Sequence, residues 1–341
     1  MTGGQDESES SSIIQRKPIK IVAQSKILSV AFLADTQHFV SGDNNGKIQF
    51  WRTEDGEAAG APIDAGGAVH CLVTSQDGRW IVAGTESGWV FVWDAESREK
   101  VIEITFKKAV NSVDVSSDGS KFAIATDDKI AEVRTLPDGK LCWGKKDCNF
   151  HSAKFSPDGS LLAVGVEYEG RNPSVQSLSI YNSQNGESLS GARISARSIA
   201  WASDSKQLFV LSSDGNIHCL NAYSRETLSK WPIHSNGNPR FISLSSNGAF
   251  IAASTNASLS FWDTSTRKQI GFVIHLDSVN SMAISPNYDL VITGNSIISL
   301  WDLLSVLSTP SNQVSEYSIL GLYSQPTSLT TTEADHGLSN L

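Results

Sequence analysis

The chain of 341 residues lacks the features that mark zinc-binding, membrane-spanning or secreted proteins. Its four cysteines, Cys71, Cys142, Cys148 and Cys219, show no paired ligand spacing, so we expect free buried thiols in a reducing compartment. No apolar run approaches the ~20 residues that cross a bilayer. The N-terminal residues lack the basic and apolar regions of a signal peptide. These absences predict a cytoplasmic protein and are also compatible with a nuclear one.

Basic residues are also scarce. The chain has 27 Lys and Arg against 36 Asp and Glu, which gives a formal net charge of −9. Sequence-independent nucleic-acid binding needs a basic face, so we expect no nucleic-acid partner, and likewise no membrane partner. A local basic patch stays compatible with this total. With 40% hydrophobic residues, the chain can bury a sizeable core.

What the chain does contain is a repeated pattern, clearest in residues 68–94. Three short apolar runs, Val69–Val73, Trp80–Ala83 and Val90–Trp93, are separated by the turn signals Ser75–Gly78 and Gly84–Gly88. The runs are short and β-branched, and the Asp-Gly and Ser-Gly pairs suit turns between antiparallel strands. This stretch predicts a three-stranded meander.

The meander recurs seven times. The third run of each repeat ends at Trp51, Trp93, Val133, Tyr181, Leu220, Trp262 and Trp301. The intervals are 42, 40, 48, 39, 42 and 39 residues, the longest containing the insertion Glu167–Gln176. A period of about 40 residues with four short strands is typical of a propeller blade. We therefore predict an all-β, seven-bladed propeller of four-stranded antiparallel blades over residues 18–304. Residues 1–17 are expected to be a disordered acidic, Ser-rich arm, and 305–341 a mostly disordered Ser/Thr-rich tail.

The repeats resemble those of the WD-repeat (WD40) β-propeller family. Trp-Asp pairs stand at Trp93-Asp94, Trp262-Asp263 and Trp301-Asp302, and Ser156–Gly159 is a full Ser-Pro-Asp-Gly turn. The other repeats are degenerate, and His275 alone sits at the family's histidine position. The resemblance implies only a partial His–Ser/Thr–Asp–Trp hydrogen-bond chain, with Thr293 and Trp301 in the last repeat. It also implies a non-catalytic scaffold that docks protein or peptide partners.

The two ends of the chain are expected to close the ring together. Ile19–Ala23 is an apolar run with no blade of its own, and the last repeat supplies only three strands. We predict that the N-terminal strand becomes the outer strand of the last blade, which protects sheet edges.

No set of residues points to catalysis, a cofactor or a metal. His70 and His151 each follow the first residue of an inner strand, a position at the channel mouth, and no acidic or thiol ligands recur beside them. Asp127-Asp128 is interpreted as a turn. Trp51, Trp93, Trp262 and Trp301 are predicted to be core, whereas Trp89 and Trp143 are contact candidates if exposed.

The resemblance makes the top face of the propeller the expected binding site. In this chain the positions concerned are Lys26, Leu28, Asn44, Ala68, His70, Glu86, Asn111, Thr126, Asn149, His151, Ser195, Arg197, Ser213, Asn238, Arg240, Thr255, Ser278 and Asn280. Because Arg197 and Arg240 can form bidentate pairs, the expected partner is an acidic or phosphorylated peptide, bound by a monomer or a subunit of a larger complex. The alternative is a propeller enzyme or small-molecule binder at the channel mouth, for which Asp114 is the available carboxylate.

Overall fold

The computed structural model describes residues 17–146, 150–166, 178–224, 226–233, 237–287 and 289–307. The predictions for the N-terminal arm to residue 16, for the insertion Glu167–Gln176, for Cys148 and Asn149, and for the tail from residue 308 lie outside these ranges.

The described chain folds into seven four-stranded antiparallel sheets, which are the blades of a propeller. The strand β1 (Ile19–Val22) precedes the first blade. Blade one contains β2 (Ile27–Phe32), β3 (His38–Asp43), β4 (Lys47–Arg52) and β5 (Ile63–Asp64). Blade two contains β6 (Val69–Thr74), β7 (Trp80–Thr85), β8 (Trp89–Asp94) and β9 (Lys100–Thr105). Blade three contains β10 (Val110–Val115), β11 (Lys121–Thr126), β12 (Ile130–Thr135) and β13 (Leu141–Lys146).

The remaining blades follow the same order from inner to outer strand. Blade four contains β14 (Phe150–Phe155), β15 (Leu161–Val166), β16 (Leu178–Asn182) and β17 (Ser188–Ala192). Blade five contains β18 (Ala196–Trp201), β19 (Gln207–Ser212), β20 (Asn216–Asn221) and β21 (Thr227–Pro232). Blade six contains β22 (Pro239–Leu244), β23 (Phe250–Thr255), β24 (Ser258–Asp263) and β25 (Gln269–His275). Blade seven contains β26 (Ser281–Ile284), β27 (Leu290–Gly294) and β28 (Ile297–Asp302). The predicted all-β, seven-bladed fold is confirmed.

Blade seven takes its outer strand from the other end of the chain. β1 pairs antiparallel with β28, with Ile19 opposite Leu300 and Ile21 opposite Ile298. The side chains of Ile19 and Ile21 pack against a cluster that includes Ile298, Leu300 and Trp51. The fourth strand of the last blade is therefore formed by residues near the start of the sequence.

The core consists of layers between neighbouring blades. The second strand of each blade is covered on both faces, and β7, β15 and β23 are buried along their whole length. Their largely apolar sequences follow from that double burial. In β3 and β7, close packing of blades also requires glycine near the end of the strand, because a Cβ on Gly42 or Gly84 would overlap Val69 or Val110 of the next blade.

A short helix, α1 (Leu303–Leu307), follows β28. Leu303, Val306 and Leu307 are buried and pack in the same cluster as Phe261 and Ile274 of blade six. The predicted end of the propeller at residue 304 thus falls inside α1, because apolar side chains beyond the last Trp-Asp pair still pack into the core.

Candidate functional site

The inner strands of all seven blades surround a central channel of about 790 Å³. We call the end at which the inner strands begin the top face. Its opposite is the bottom face, where each inner strand turns into the second strand. The channel lining contains eight of the positions that the sequence predicts as contacts.

In blades one to six, a β-bulge near the start of the inner strand places one side chain at the top mouth. In blades one to six the strand register shifts between the first and third residues, so the second residue has no partner in the ladder. Bulges of this kind bend the strand and re-aim a side chain. With the equivalent Asn280 of blade seven, these residues form what we call the upper ring: Leu28, His70, Asn111, His151, Arg197, Arg240 and Asn280.

The upper ring differs in accessibility from position to position. His70 and Arg240 are exposed, as is Lys26 beside the ring, whereas Leu28, His151 and Arg197 are half-buried. Asn44 and Glu86 are exposed on the same face, in the turns after β3 and β7, but away from the channel lining.

Two of the remaining predicted contact positions are buried. Thr126 is 0% exposed and Thr255 is 1% exposed, so neither can meet a partner. The hydroxyl of Thr126 donates to Asp128, and that of Thr255 bonds Ser258 at 2.8 Å. Including them among the contacts was wrong, because each satisfies the polar groups of its own turn. The other five, Ala68, Ser195, Ser213, Asn238 and Ser278, lie on the top-face loops and are half-buried or exposed.

Asn111 and Asn280 of the upper ring hold neighbouring blades together. The side-chain amide of Asn111 donates to the main-chain carbonyl of Phe150 at 3.0 Å, and that of Asn280 to the carbonyl of Ile27 at 3.1 Å. In both cases the acceptor is the first residue of the next inner strand. The sequence identified these two positions but not this function, because the acceptor is a main-chain group about 40 residues away or at the other end of the chain.

At the bottom end of the channel, the last residue of the inner strand is apolar in every blade except blade two, which has Thr74. The last residues of the inner strands form what we call the lower ring: Phe32, Thr74, Val115, Phe155, Trp201, Leu244 and Ile284. Between the rings, Asp114 of blade three accepts hydrogen bonds from Lys154 Nζ at 2.7 Å and from the Phe155 N–H at 2.8 Å. Asp114 is only 8% exposed and is engaged at a blade interface, as an ion-paired structural group would be.

The tryptophans divide between core and surface, and Trp51 and Trp301, which were predicted to be core, are half-buried and pack against it. Trp93 and Trp262 are 3% exposed. Trp143 is also buried, and its indole donates to the Ser183 carbonyl of blade four at 2.9 Å, so it is not a contact candidate. Trp89 is 36% exposed and stacks on Phe91.

The family's hydrogen-bond chain is present only in part. The indole of Trp301 donates to Thr293 at 3.3 Å, and that of Trp51 donates to Ser41 at 2.8 Å. The Trp51 bond was missed in the sequence because its repeat ends in Trp-Arg. His275, at the end of β25, is exposed and not buried.

The described cysteines, Cys71, Cys142 and Cys219, are free thiols. Burial raises the pKa of the Cys71 thiol to about 12 and also raises the pKa of Cys219. Both are therefore poor nucleophiles and metal ligands at neutral pH. The expectation of burial was wrong for Cys142, which is exposed because it occupies the bulge of the outer strand β13.

Asp127 and Asp128 form the turn between β11 and β12, where Asp128 accepts from Thr126. Within the described part of the chain, no group of three or more His, Cys, Asp or Glu side chains is placed to hold a metal ion. No helix in the described ranges has the length and apolar character to span a bilayer.

Comparisons with known proteins agree with this geometry. The family model "WD domain, G-beta repeat" matches residues 16–52, 63–94 and 267–302, which contain the strands β1 to β4, β5 to β8 and β25 to β28. WD repeat-containing protein SL1-17 of Schistosoma mansoni is 29% identical over 113 residues, covering 33% of this chain and 38% of that protein. WD repeat-containing protein 1 of Gallus gallus is 28% identical over 217 residues, covering 58% of this chain and 34% of that protein. The chain thus spans about a third of the length of the curated relatives it matches. The chain is thus a seven-bladed β-propeller that carries WD40 repeats in the three matched stretches and is similar to WD repeat-containing proteins.

Proposed function

We propose that this propeller is a non-catalytic scaffold of the cytoplasm, or of the nucleus, that docks a protein or peptide partner on its top face. WD40 propellers are typically protein-interaction scaffolds. The observation that carries the proposal is the upper ring, which brings side chains from all seven blades to one mouth, through a bulge in blades one to six. A rigid set of polar groups offered by separate blades is suited to recognising an extended partner segment.

The charge at this mouth favours an acidic or phosphorylated segment. Arg197 and Arg240 occupy equivalent bulge positions in blades five and six. Lys26, His70 and His151 lie around the same opening. A guanidinium matches the geometry of a carboxylate or a phosphate, and two in adjacent blades can hold neighbouring anionic groups. Arg197 and Arg240 are thus the main contact residues of the upper ring. They are surrounded by His70, His151 and Leu28 of the ring and by Lys26 beside it. The side chains of Asn111 and Asn280 are engaged in hydrogen bonds between blades.

Fluorescence anisotropy with labelled peptide pools tests this proposal. An acidic pool and a phosphoserine pool should bind the protein, and a basic pool of equal length should not. The double variant Arg197→Ala/Arg240→Ala should bind the acidic pools at least ten-fold more weakly with an unchanged melting temperature. Wild-type binding should also weaken as salt rises, because the attraction is ionic.

A matched control removes the same charge from the bottom face. Arg267 and Lys268 are exposed in the turn between β24 and β25. The variant Arg267→Ala/Lys268→Ala should bind the acidic pools as the wild type does. Equal losses in both double variants would indicate non-specific attraction and would contradict docking at the top face.

A further inference from the structure

The channel changes character along its axis. At the top mouth the upper ring and Lys26 present cationic and polar groups, and at the bottom the lower ring presents Val115, Leu244 and Ile284, each half-buried. Corresponding members of the two rings are four residues apart on an inner strand, which is about 13 Å at the rise of a β-strand. The channel is therefore amphipathic over the length of a small molecule.

Charge in the channel is unbalanced at the top end. Among the described lining residues, Asp114 is the one carboxylate, and it is paired with Lys154 at 2.7 Å. Lys26 and Arg240 have no such carboxylate beside them in the lining. A cleft lined by one sign of charge concentrates counter-ions of the other sign, even on a chain whose formal net charge is −9.

The bottom end favours an apolar group. Phe32, Phe155 and Trp201 are largely buried, and the half-buried Val115, Leu244 and Ile284 contribute most of the apolar surface of the lower ring. An inorganic anion held at the top mouth would leave this surface in water. A ligand with an apolar extension would remove it from water and gain the hydrophobic contribution.

We propose that the channel binds an anionic amphiphile, a small molecule with a phosphate or carboxylate head and an alkyl chain. The head lies at Arg197 and Arg240, and the chain extends past the Asp114–Lys154 pair toward Leu244 and Ile284. The volume of about 790 Å³ lies within the usual range of ligand sites. Binding of the amphiphile depends on the lower ring, whereas docking of a peptide on the top face does not. The two share only the cationic residues of the mouth.

Isothermal titration calorimetry with four probes tests the proposal: octyl phosphate and octanoate below their micelle-forming concentrations, inorganic phosphate and octyl glucoside. Octyl phosphate should bind at least ten-fold tighter than inorganic phosphate, which lacks the chain, and than octyl glucoside, which lacks the charge. The octanoate titration decides whether the head is a phosphate or a carboxylate. Equal affinity for octyl phosphate and inorganic phosphate would overturn the proposal.

Two variants locate the ligand. Arg240→Ala should weaken octyl phosphate and inorganic phosphate alike, whereas Leu244→Asn should weaken octyl phosphate alone. Leu244→Ala serves the same purpose should the asparagine disturb folding, and Arg267→Ala on the bottom face is the control. Leu244→Asn should leave binding of acidic peptides unchanged, which separates this site from top-face docking. Octyl phosphate binding that neither Arg240→Ala nor the Leu244 variants weaken would place the ligand elsewhere and refute the assignment.

Discussion

Asn280 and Ile27 join the last blade to the first. The side-chain amide of Asn280 donates to the main-chain carbonyl of Ile27 at 3.1 Å. This bond crosses the interface between blades seven and one and joins residues 253 positions apart in the sequence. Ser281 adds a second link there, since its hydroxyl accepts the Val30 N–H at 2.9 Å. Asn111 makes the equivalent bond to Phe150 within the ring. Both asparagines therefore support the fold from positions that the sequence assigned to the binding face.

Replacing either asparagine should lower stability. We expect Asn280→Ala and Asn111→Ala each to lose about 1–2 kcal/mol of unfolding free energy, because a seam carbonyl loses its hydrogen bond. Asn44→Ala, on the same face but exposed, should change stability by less than about 0.5 kcal/mol. Urea denaturation measures all three. Unchanged stability together with lost peptide binding would make these asparagines partner contacts instead.

The sequence predicts the blades well because each strand is a local pattern. Most inner strands match the predicted limits, and the predicted strand Val69–Val73 extends by one residue to Thr74. Contacts between blades were harder to predict. The burial of Trp143 depends on Gly186 and Ser183 of the next blade, and the seam bonds of Asn111 and Asn280 depend on main-chain acceptors that carry no sequence signal.

The upper ring itself was only partly predictable. Its positions follow from the repeat, since in blades one to six each comes one residue after the start of an inner strand. Its geometry depends on a β-bulge that cannot be predicted from the sequence, because the residues at this position, such as Leu28, His70, Asn111 and Arg197, share no side-chain type. The apolar lower ring was missed because its members also look like ordinary core residues, as Phe155 and Trp201 largely are.

The pairing of β1 with β28 predicts a sharp difference between two N-terminal deletions. Removing residues 1–23 should lower the unfolding free energy by several kcal/mol, because it exposes the edge of β28 and removes Ile19 and Ile21 from their cluster. Removing residues 1–14 leaves β1 in place and should have little effect. Thermal unfolding of both truncations and the full chain provides the measurement. Equal melting temperatures would contradict a stabilising role for β1.

The buried tryptophans should be costly to remove. Trp93→Ala and Trp262→Ala should each lose roughly 3–5 kcal/mol of unfolding free energy, because a large cavity opens between blades. Trp89→Ala is the matched control, since that ring is 36% exposed, and it should lose clearly less. Denaturant titrations of the three variants are directly comparable. A Trp89 variant as unstable as the other two would mean that its stacking on Phe91 supports the core.

Arg98 and Arg267 have the same left-handed backbone conformation, but replacing each of them with glycine should affect stability differently. Both have φ 60° in the turn between the third and outer strands. Glycine should relieve about 1 kcal/mol of strain at either position. Arg98 also donates to the Ala59 and Ala61 carbonyls at 2.9 and 3.0 Å and stacks on Phe50. Arg98→Gly should therefore destabilise the protein, whereas Arg267→Gly should be neutral or stabilising in the same thermal assay. Stabilisation by Arg98→Gly would show that the bonds to blade one contribute little.

His218 should make stability depend on pH near neutrality. It is 8% exposed in β20, and its Nε2 makes no hydrogen bond to the described residues. Burial lowers the pKa of His218, the neighbouring Lys230 lowers it further, and Asp214 partly opposes this. The unfolded chain therefore binds this proton at a higher pH than the folded chain does. The contribution to stability is complete above the unfolded pKa of about 6.5 and is lost as pH falls from there toward the folded value.

The matched variant is His218→Asn, which removes the titrating group from the same position. Unfolding free energies from urea titrations at pH 7.5, 6.5 and 5.5 should fall for the wild type over this window, before most carboxylates titrate. The fall should be smaller in His218→Asn, even though the variant starts from a different stability. Parallel pH profiles for the two proteins would assign the pH dependence to other groups and would mean that His218 accepts its proton as readily in the folded chain as in the unfolded one.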